Sequence, residues 1–287
     1  MTTTCCKSEE ATTPHAFYVG AFVLVATFIW AFWPICLELL RTWSDSEDYS
    51  HGFFIIPAVI YLIYRKHNPP AFSELSANWP GFIGVLAAVV MYVIGLYSSF
   101  RTLANLSFVL AIWGSLYFLF GFHFIKKYAW ELFLLLFMLP IPSRLYASIT
   151  LPLQLGVTKM SFFVLQLLGI PVCREGNIIQ LANTTLEVVN ACSGLRSILS
   201  IIVLSFIISC FAFRRTWQRL LLIILAIPLA MLSNLIRVTV IALFAQHGNV
   251  MFVDGTAHVM LGIGLFALSL LLLTFFAKII AWLIPEK

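Results

Sequence analysis

Hydrophobic residues fill most of this chain, in long runs that short polar segments interrupt. A helix needs about 20 apolar residues to cross a bilayer, at a rise of about 1.5 Å per residue. We predict eight membrane-spanning helices, near residues 17–40, 52–64, 81–99, 103–121, 128–142, 195–213, 219–243 and 257–281. The second and fifth runs are short, so their helices must include flanking residues to reach across.

The segment 146–169 has a different pattern. Polar residues recur at intervals along it, which is typical of an amphipathic helix. The polar residues are Gln154, Thr158 and Lys159, and Pro152 also interrupts the apolar run. We therefore expect a re-entrant or interfacial helix that does not cross the membrane. It would lie within an extracytoplasmic insert that covers 143–194.

The later part of this insert contains two short β-type runs. NIIQL (177–181) and LEVV (186–189) flank an Asn-Thr turn signal. Runs of this kind around a turn are typical of a β-hairpin. We predict a small hairpin here, joined to an otherwise all-α protein.

Basic residues predict the orientation, because Lys and Arg concentrate in short cytoplasmic loops. The three basic loops carry Arg65 and Lys66, Lys126 and Lys127, and Arg214, Arg215 and Arg219. If all three are cytoplasmic, both termini lie inside, and the acidic loop 44–49 and the insert lie outside. A ninth crossing at 146–169 would force a basic loop outside. We expect a cytoplasmic tail at 1–16 and one transmembrane domain at 17–287, in a cell (inner) membrane.

Composition supports this class of protein. The chain has 287 residues, of which 61% are hydrophobic and 10% charged. A soluble domain has about 25% charged residues. The net charge of +5 comes largely from the basic loops, and no basic stripe with interleaved aromatic residues indicates nucleic-acid binding. We see no metal-ligand spacing and no nucleotide loop, so we predict no cofactor and name membrane lipids as partners.

The six cysteines form no CxxC pair. Cys36 and Cys210 lie in apolar runs, and we expect both to be packing residues. Cys173 and Cys192 flank the polar insert and could in principle form a disulfide.

Three residues with complementary chemistry fall at one predicted depth, on the outer side. Cys192 precedes the sixth span, Arg237 lies towards the outer end of the seventh, and His258 begins the eighth. His51 opens the second span on the same side. A cation or a helix N-terminus favours a thiolate, an imidazole can transfer the thiol proton, and arginine can hold an oxyanion or align the substrate.

Each of the three residues also has a purely structural interpretation. Cys192 could be a packed helix-cap residue, Arg237 could extend to lipid phosphate, and His258 could be satisfied by a carbonyl group. His247 is a second candidate base. Gly262 and Gly264 are most simply helix-packing glycines.

Four segments, in order, resemble the exosortase/archaeosortase family over roughly residues 40 to 280. They are WSDSEDYSHGFFIIP (43–57), NACSGLRS (190–197), SNLIRV (233–238) and His258 followed by the G-x-G of Gly262 and Gly264. The resemblance implies a multi-pass cysteine transpeptidase. Its substrates would be membrane-anchored proteins with a PEP-type C-terminal sorting signal, cleaved at the outer face.

The resemblance also assigns roles to the three residues. It makes Cys192 the nucleophile, Arg237 the oxyanion or alignment residue and His258 the proton carrier. The acceptor, which could be a lipid or a polysaccharide, or else water, would resolve a thioacyl intermediate. We expect none of the extra C-terminal domain that some members carry. The alternatives are a transporter or lipid-carrier protein, and a non-enzymatic subunit, of envelope or exopolysaccharide assembly.

Overall fold

A computed structural model describes residues 26–46, 48–66, 78–182, 184–187, 194–246, 248 and 255–284. The protein is helical apart from one small sheet. The helices are α1 (Trp33–Asp45), α2 (Gly52–Arg65), α3 (Trp79–Tyr97), α4 (Arg101–Lys127), α5 (Ala129–Phe133), α6 (Ser143–Leu167), α7 (Gly194–Ala212), α8 (Thr216–Gln246) and α9 (Thr256–Leu283). A 3₁₀ helix, Leu134–Met138, follows α5, and the strands are β1 (Val172–Glu175), β2 (Ile178–Leu181) and β3 (Thr185–Glu187).

Five of the described helices are long and apolar enough to cross a membrane, and these are α3, α4, α6, α8 and α9. Shorter apolar helices are α2, the segment from α5 through the 3₁₀ helix, and residues 198–212 of α7. Large apolar side chains cover much of the outer surface, as lipid contact requires. The prediction of a polytopic membrane protein is confirmed, whereas the number of eight spans stays a prediction.

The region of the fourth and fifth predicted spans is divided differently in the structure. Helix α4 is kinked at Gly121, where the predicted fourth span ends, because the φ of 76° and ψ of 178° at this glycine are not helical; a shorter helical segment then runs on to Lys127. The fifth run then forms only α5 and the 3₁₀ helix, which ends at Met138. Pro140 and Pro142 follow, and proline restricts the preceding residue away from helical geometry.

Helix α7 joins two packed groups of helices. On one side, Phe206 of α7 packs its ring against Trp130, Phe133 and Phe137. On the other side, α7 shares an apolar core with α8 and α9. Cys36 and Cys210 pack at the margin of the first group, as predicted for packing cysteines.

Helix α6 places its polar side inward. Four buried polar residues line its inner face, and these are Thr150, Gln154, Thr158 and Ser161. Leu151, Phe163 and Leu167 are 55%, 61% and 71% exposed on the other side. The pattern is inverted relative to an interfacial helix, because this polar face is turned towards the protein and the apolar face is left for lipid. Thr150 and Thr158 donate to carbonyls of their own helix, whereas Lys159 is exposed.

Contacts at the two ends of α6 place it within the molecule. Near its start, Tyr146 Oη donates a 2.8 Å hydrogen bond to Asp48 Oδ2, so this acidic side chain anchors a helix. Near its end, Leu165 packs with the sheet and with α8. By length α6 qualifies as a span, and whether it crosses or re-enters stays a prediction.

The sheet extends the predicted hairpin. Strands β2 and β3 pair antiparallel, with Ile179 opposite Leu186. Strand β1 adds a third strand on the other edge of β2, which the sequence pattern did not predict. Ile179 and Leu186 are buried in the core that α6 and α8 form. Cys173 in β1 is an exposed free thiol, and Cys192, its possible disulfide partner, lies outside the described residues.

The three basic loops meet at one end of the helices. Lys66 Nζ lies 2.7 Å from Glu131 Oε1 and donates to the Lys127 carbonyl at 3.0 Å. Arg65 lies over the Phe211 ring, with its Cζ 4.6 Å from the centroid. Trp130 Nε1 donates to Thr216 Oγ1 at 3.4 Å. This grouping agrees with the placement of all three loops on one side, and their cytoplasmic location stays a prediction.

Candidate active site

Helix α8 carries Arg237 far from the basic end. Arg237 lies about 32 Å along the helix from Thr216, at 1.5 Å per residue. Asn234, one turn earlier, is 4% exposed. This part of α8 therefore carries a polar residue on its inward face.

Helix α9 brings His258 to Arg237. His258 lies in the first turn of α9, where its backbone N–H donates to the Gly255 carbonyl at 3.1 Å. At the other end of the same helix pair, Gln218 Nε2 donates to the Ile284 carbonyl at 3.0 Å. The two helices are thus antiparallel, and the first turn of α9 lies beside the last third of α8.

The two side chains are in direct contact. Arg237 Nη2 lies 2.7 Å from His258 Nε2, and both residues are half-buried. A guanidinium has only donors, so His258 Nε2 must be the acceptor. This hydrogen bond requires a neutral imidazole with its proton on Nδ1.

The Nε donor of Arg237, unlike Nη2, makes no hydrogen bond to the described residues. This nitrogen is also buried. An unmet buried donor costs about 1–3 kcal/mol, and ionisable residues at membrane depth usually mark functional sites. The guanidinium is therefore suited to receive an oxygen atom of a ligand or a reacting group.

The predicted nucleophile Cys192 lies outside the described residues, as does His247, the second candidate base. Helix α7 begins at Gly194, two positions later, and strand β3 ends at Glu187. The structure thus brings together two of the three predicted residues. The position of the thiol relative to them stays a prediction.

His51 is placed in other surroundings. Its Nε2 lies 3.2 Å from the carbonyl oxygen of Phe137, which can only accept, so Nε2 is the donor. Burial lowers the pKa of the His51 imidazole, and the Phe137 carbonyl partly opposes this shift. His51 therefore serves the packing of α2 against the 3₁₀ helix.

A cavity that the sequence did not indicate lies next to His51. Its volume is about 220 Å³. It is lined by Tyr49, His51, Phe133, Leu136, Phe137, Leu139, Ile141 and Leu199. The lining comes from three segments that are far apart in the sequence, so no local sequence signal could have shown it. Within the described part of the chain, no group of three or more His, Cys, Asp or Glu residues could hold a metal ion.

These features define a class: a polytopic, helical membrane protein with an arginine–histidine pair near one end of two antiparallel helices. A family model described as transmembrane exosortase matches residues 43–275. The chain therefore belongs to the transmembrane exosortase family, and the match includes Arg237 and His258. No curated protein and no solved structure matches. Membership supports a membrane transpeptidase at the level of the family.

Proposed function

We propose that this protein is a cysteine transpeptidase that cleaves PEP-type C-terminal sorting signals of exported, membrane-anchored proteins. Cleavage would occur at the outer face, followed by transfer to an acceptor. The observation that carries the proposal is the 2.7 Å contact between Arg237 Nη2 and His258 Nε2. The contact links α8 and α9 at the end of the molecule where α7 begins. Cys192 precedes the start of α7 by two positions.

In the proposed first step, the Cys192 thiol loses its proton to His258 Nε2, and the thiolate attacks the scissile carbonyl carbon. An oxyanion forms, and the Arg237 guanidinium stabilises it. When the C–N bond breaks, His258 returns the proton to the leaving amine. The acyl group is then held on Cys192 as a thioester.

In the second step, an acceptor or water attacks the thioester. The acceptor's proton passes to His258 and then to the departing Cys192 sulfur. This restores the free thiol and leaves the acyl group on the acceptor. Atoms and charges balance without any additional oxidant or metal.

The hydrogen bond between Arg237 and His258 implies that substrate binding comes before proton transfer in the proposed reaction. The lone pair of His258 Nε2 is occupied by Arg237, so the imidazole cannot take the thiol proton while that bond persists. When the guanidinium turns to a substrate oxygen, Nε2 becomes available. Substrate binding thereby prepares the base.

A transporter or lipid-carrier function is the second candidate. The observation that favours it is the buried Arg237 Nε, which could bind an anionic head group. In that function Arg237 is required, and Cys192 is not.

The test is to coexpress the protein with a tagged reporter that carries a sorting signal, and to follow removal of the signal. Cys192→Ala should abolish processing, because the proposed thioester forms on the sulfur of Cys192. Cys173→Ala is the matched control, since this exposed free thiol lies on β1 and should be dispensable. Normal processing by Cys192→Ala at equal protein level would contradict the proposal and favour the carrier function if Arg237→Ala is inactive.

A further inference from the structure

Gly262 of α9 faces the guanidinium of Arg237. It lies four residues after His258, so the two residues share one face of the helix. A Cβ atom at Gly262 would lie 3.2 Å from Arg237 Cζ, 3.2 Å from Nη2 and 3.5 Å from Nη1. The guanidinium group therefore occupies the space that a side chain at this position would need.

Gly264 offers a direct comparison on the same helix. A Cβ atom there would meet nothing within 4 Å. Two glycines in one G-x-G segment thus have different surroundings. Gly262 and Gly264 both have negative φ angles. The need for a left-handed backbone therefore does not explain why position 262 is a glycine.

We propose that Gly262 is a positioning residue that leaves room for the Arg237 guanidinium beside His258. The inference rests on the proposed function, because its consequence is the alignment of the two reacting side chains. A contact of 3.2 Å is shorter than most that Cβ atoms make, so a methyl group would move the guanidinium by a few tenths of an ångström. The hydrogen bond to His258, at 2.7 Å, would then lengthen or bend.

The experiment compares Gly262→Ala with Gly264→Ala in the reporter-processing reaction, using full-length protein. Alanine favours helix more than glycine does, so neither change should weaken α9 itself. We expect Gly262→Ala to process about tenfold more slowly, since small misplacements of reacting groups are costly. Gly264→Ala should process at the wild-type rate. Equal rates for Gly262→Ala and wild type would overturn the inference.

A second measurement separates positioning from a general effect on packing. Lysine has no planar fork, so in an Arg237→Lys background the methyl group at 262 has no guanidinium to displace. We expect Gly262→Ala to cause no further loss in that background. The same fractional loss in both backgrounds would overturn the inference. If Gly262→Ala accumulates poorly, Arg237→Lys should restore its level, and failure to do so would also overturn it.

Cys192→Ala, measured in parallel, distinguishes the two possible failures. Normal processing by Cys192→Ala would reject the proposed function. An inactive Cys192→Ala together with a fully active Gly262→Ala would reject only the role of Gly262.

Discussion

Helix α8 carries two arginines in contrasting surroundings. Arg219, near its beginning, is 4% exposed and donates from Nε to the Phe213 carbonyl at 2.9 Å. Its Cζ also lies 5.8 Å from the centroid of the Trp130 ring. Arg237, about 27 Å further along at 1.5 Å per residue, donates instead to His258.

The difference lies in what each guanidinium contacts. Arg219 binds a backbone carbonyl and an aromatic face, which do not change their protonation and suit a permanent structural role. Arg237 binds a side chain that can itself accept a proton, and its Nε has no partner among the described residues. One arginine is thus held by packing, and the other is prepared to exchange partners.

Exchanging each arginine for lysine is the strongest way to break this comparison. Arg237→Lys should lower reporter processing about 100-fold, because lysine keeps the charge but loses a donor placed for the oxyanion. Arg219→Lys should retain near-normal processing per folded molecule. Rates would be measured at matched amounts of protein, and similar losses for both variants would contradict the separate roles.

The same two variants should show the opposite order in stability. Arg219→Lys loses the Nε hydrogen bond to Phe213 and should cost about 1 kcal/mol of folding free energy. Arg237→Lys should melt close to wild type, because its contact with His258 does not join the apolar core. Thermal unfolding in detergent measures both variants, and a lower melting temperature for Arg237→Lys alone would contradict this expectation.

His51 differs from His258 in a way that gives a smaller, pH-dependent effect on stability. The half-buried His51 donates to a carbonyl, and burial lowers its pKa from 6.5, so folding favours its neutral form. This contribution to stability is present above pH 6.5 and is lost as pH falls through that value towards the lowered pKa. His51→Gln keeps a donor for Phe137 but does not titrate. Its melting temperature should therefore fall less than that of wild type between about pH 7.5 and about pH 5.5. An equal fall would contradict the assignment.

Charge placement along the sequence predicted the gross arrangement well. The basic residues of three loops do meet at one end, through contacts such as Lys66 with Glu131. The same argument placed Arg237 and His258 at a common depth, and the structure shows them in contact. These outcomes were predictable because charged side chains are so costly within a bilayer that their positions limit the possible topologies.

The details that depend on packing were not predictable. Periodicity alone does not tell whether the polar side of α6 faces water or, as with Gln154 and Thr158, the protein interior. The third strand β1 pairs through backbone groups, which leave little trace in side-chain pattern. The space at Gly262 follows from where Arg237 extends across to the neighbouring helix, and no local signal separates it from Gly264.

The central claim is that Arg237 and His258 act as one unit. A double-mutant cycle with Arg237→Lys and His258→Gln tests it most directly, with reporter processing as the measured rate. Glutamine can accept the arginine's hydrogen bond but cannot carry the proton, so His258→Gln should be severely impaired. We predict that the double variant is no slower than the slower single variant, as for residues that function together. Losses that multiply would show that the two side chains act independently and would contradict the account.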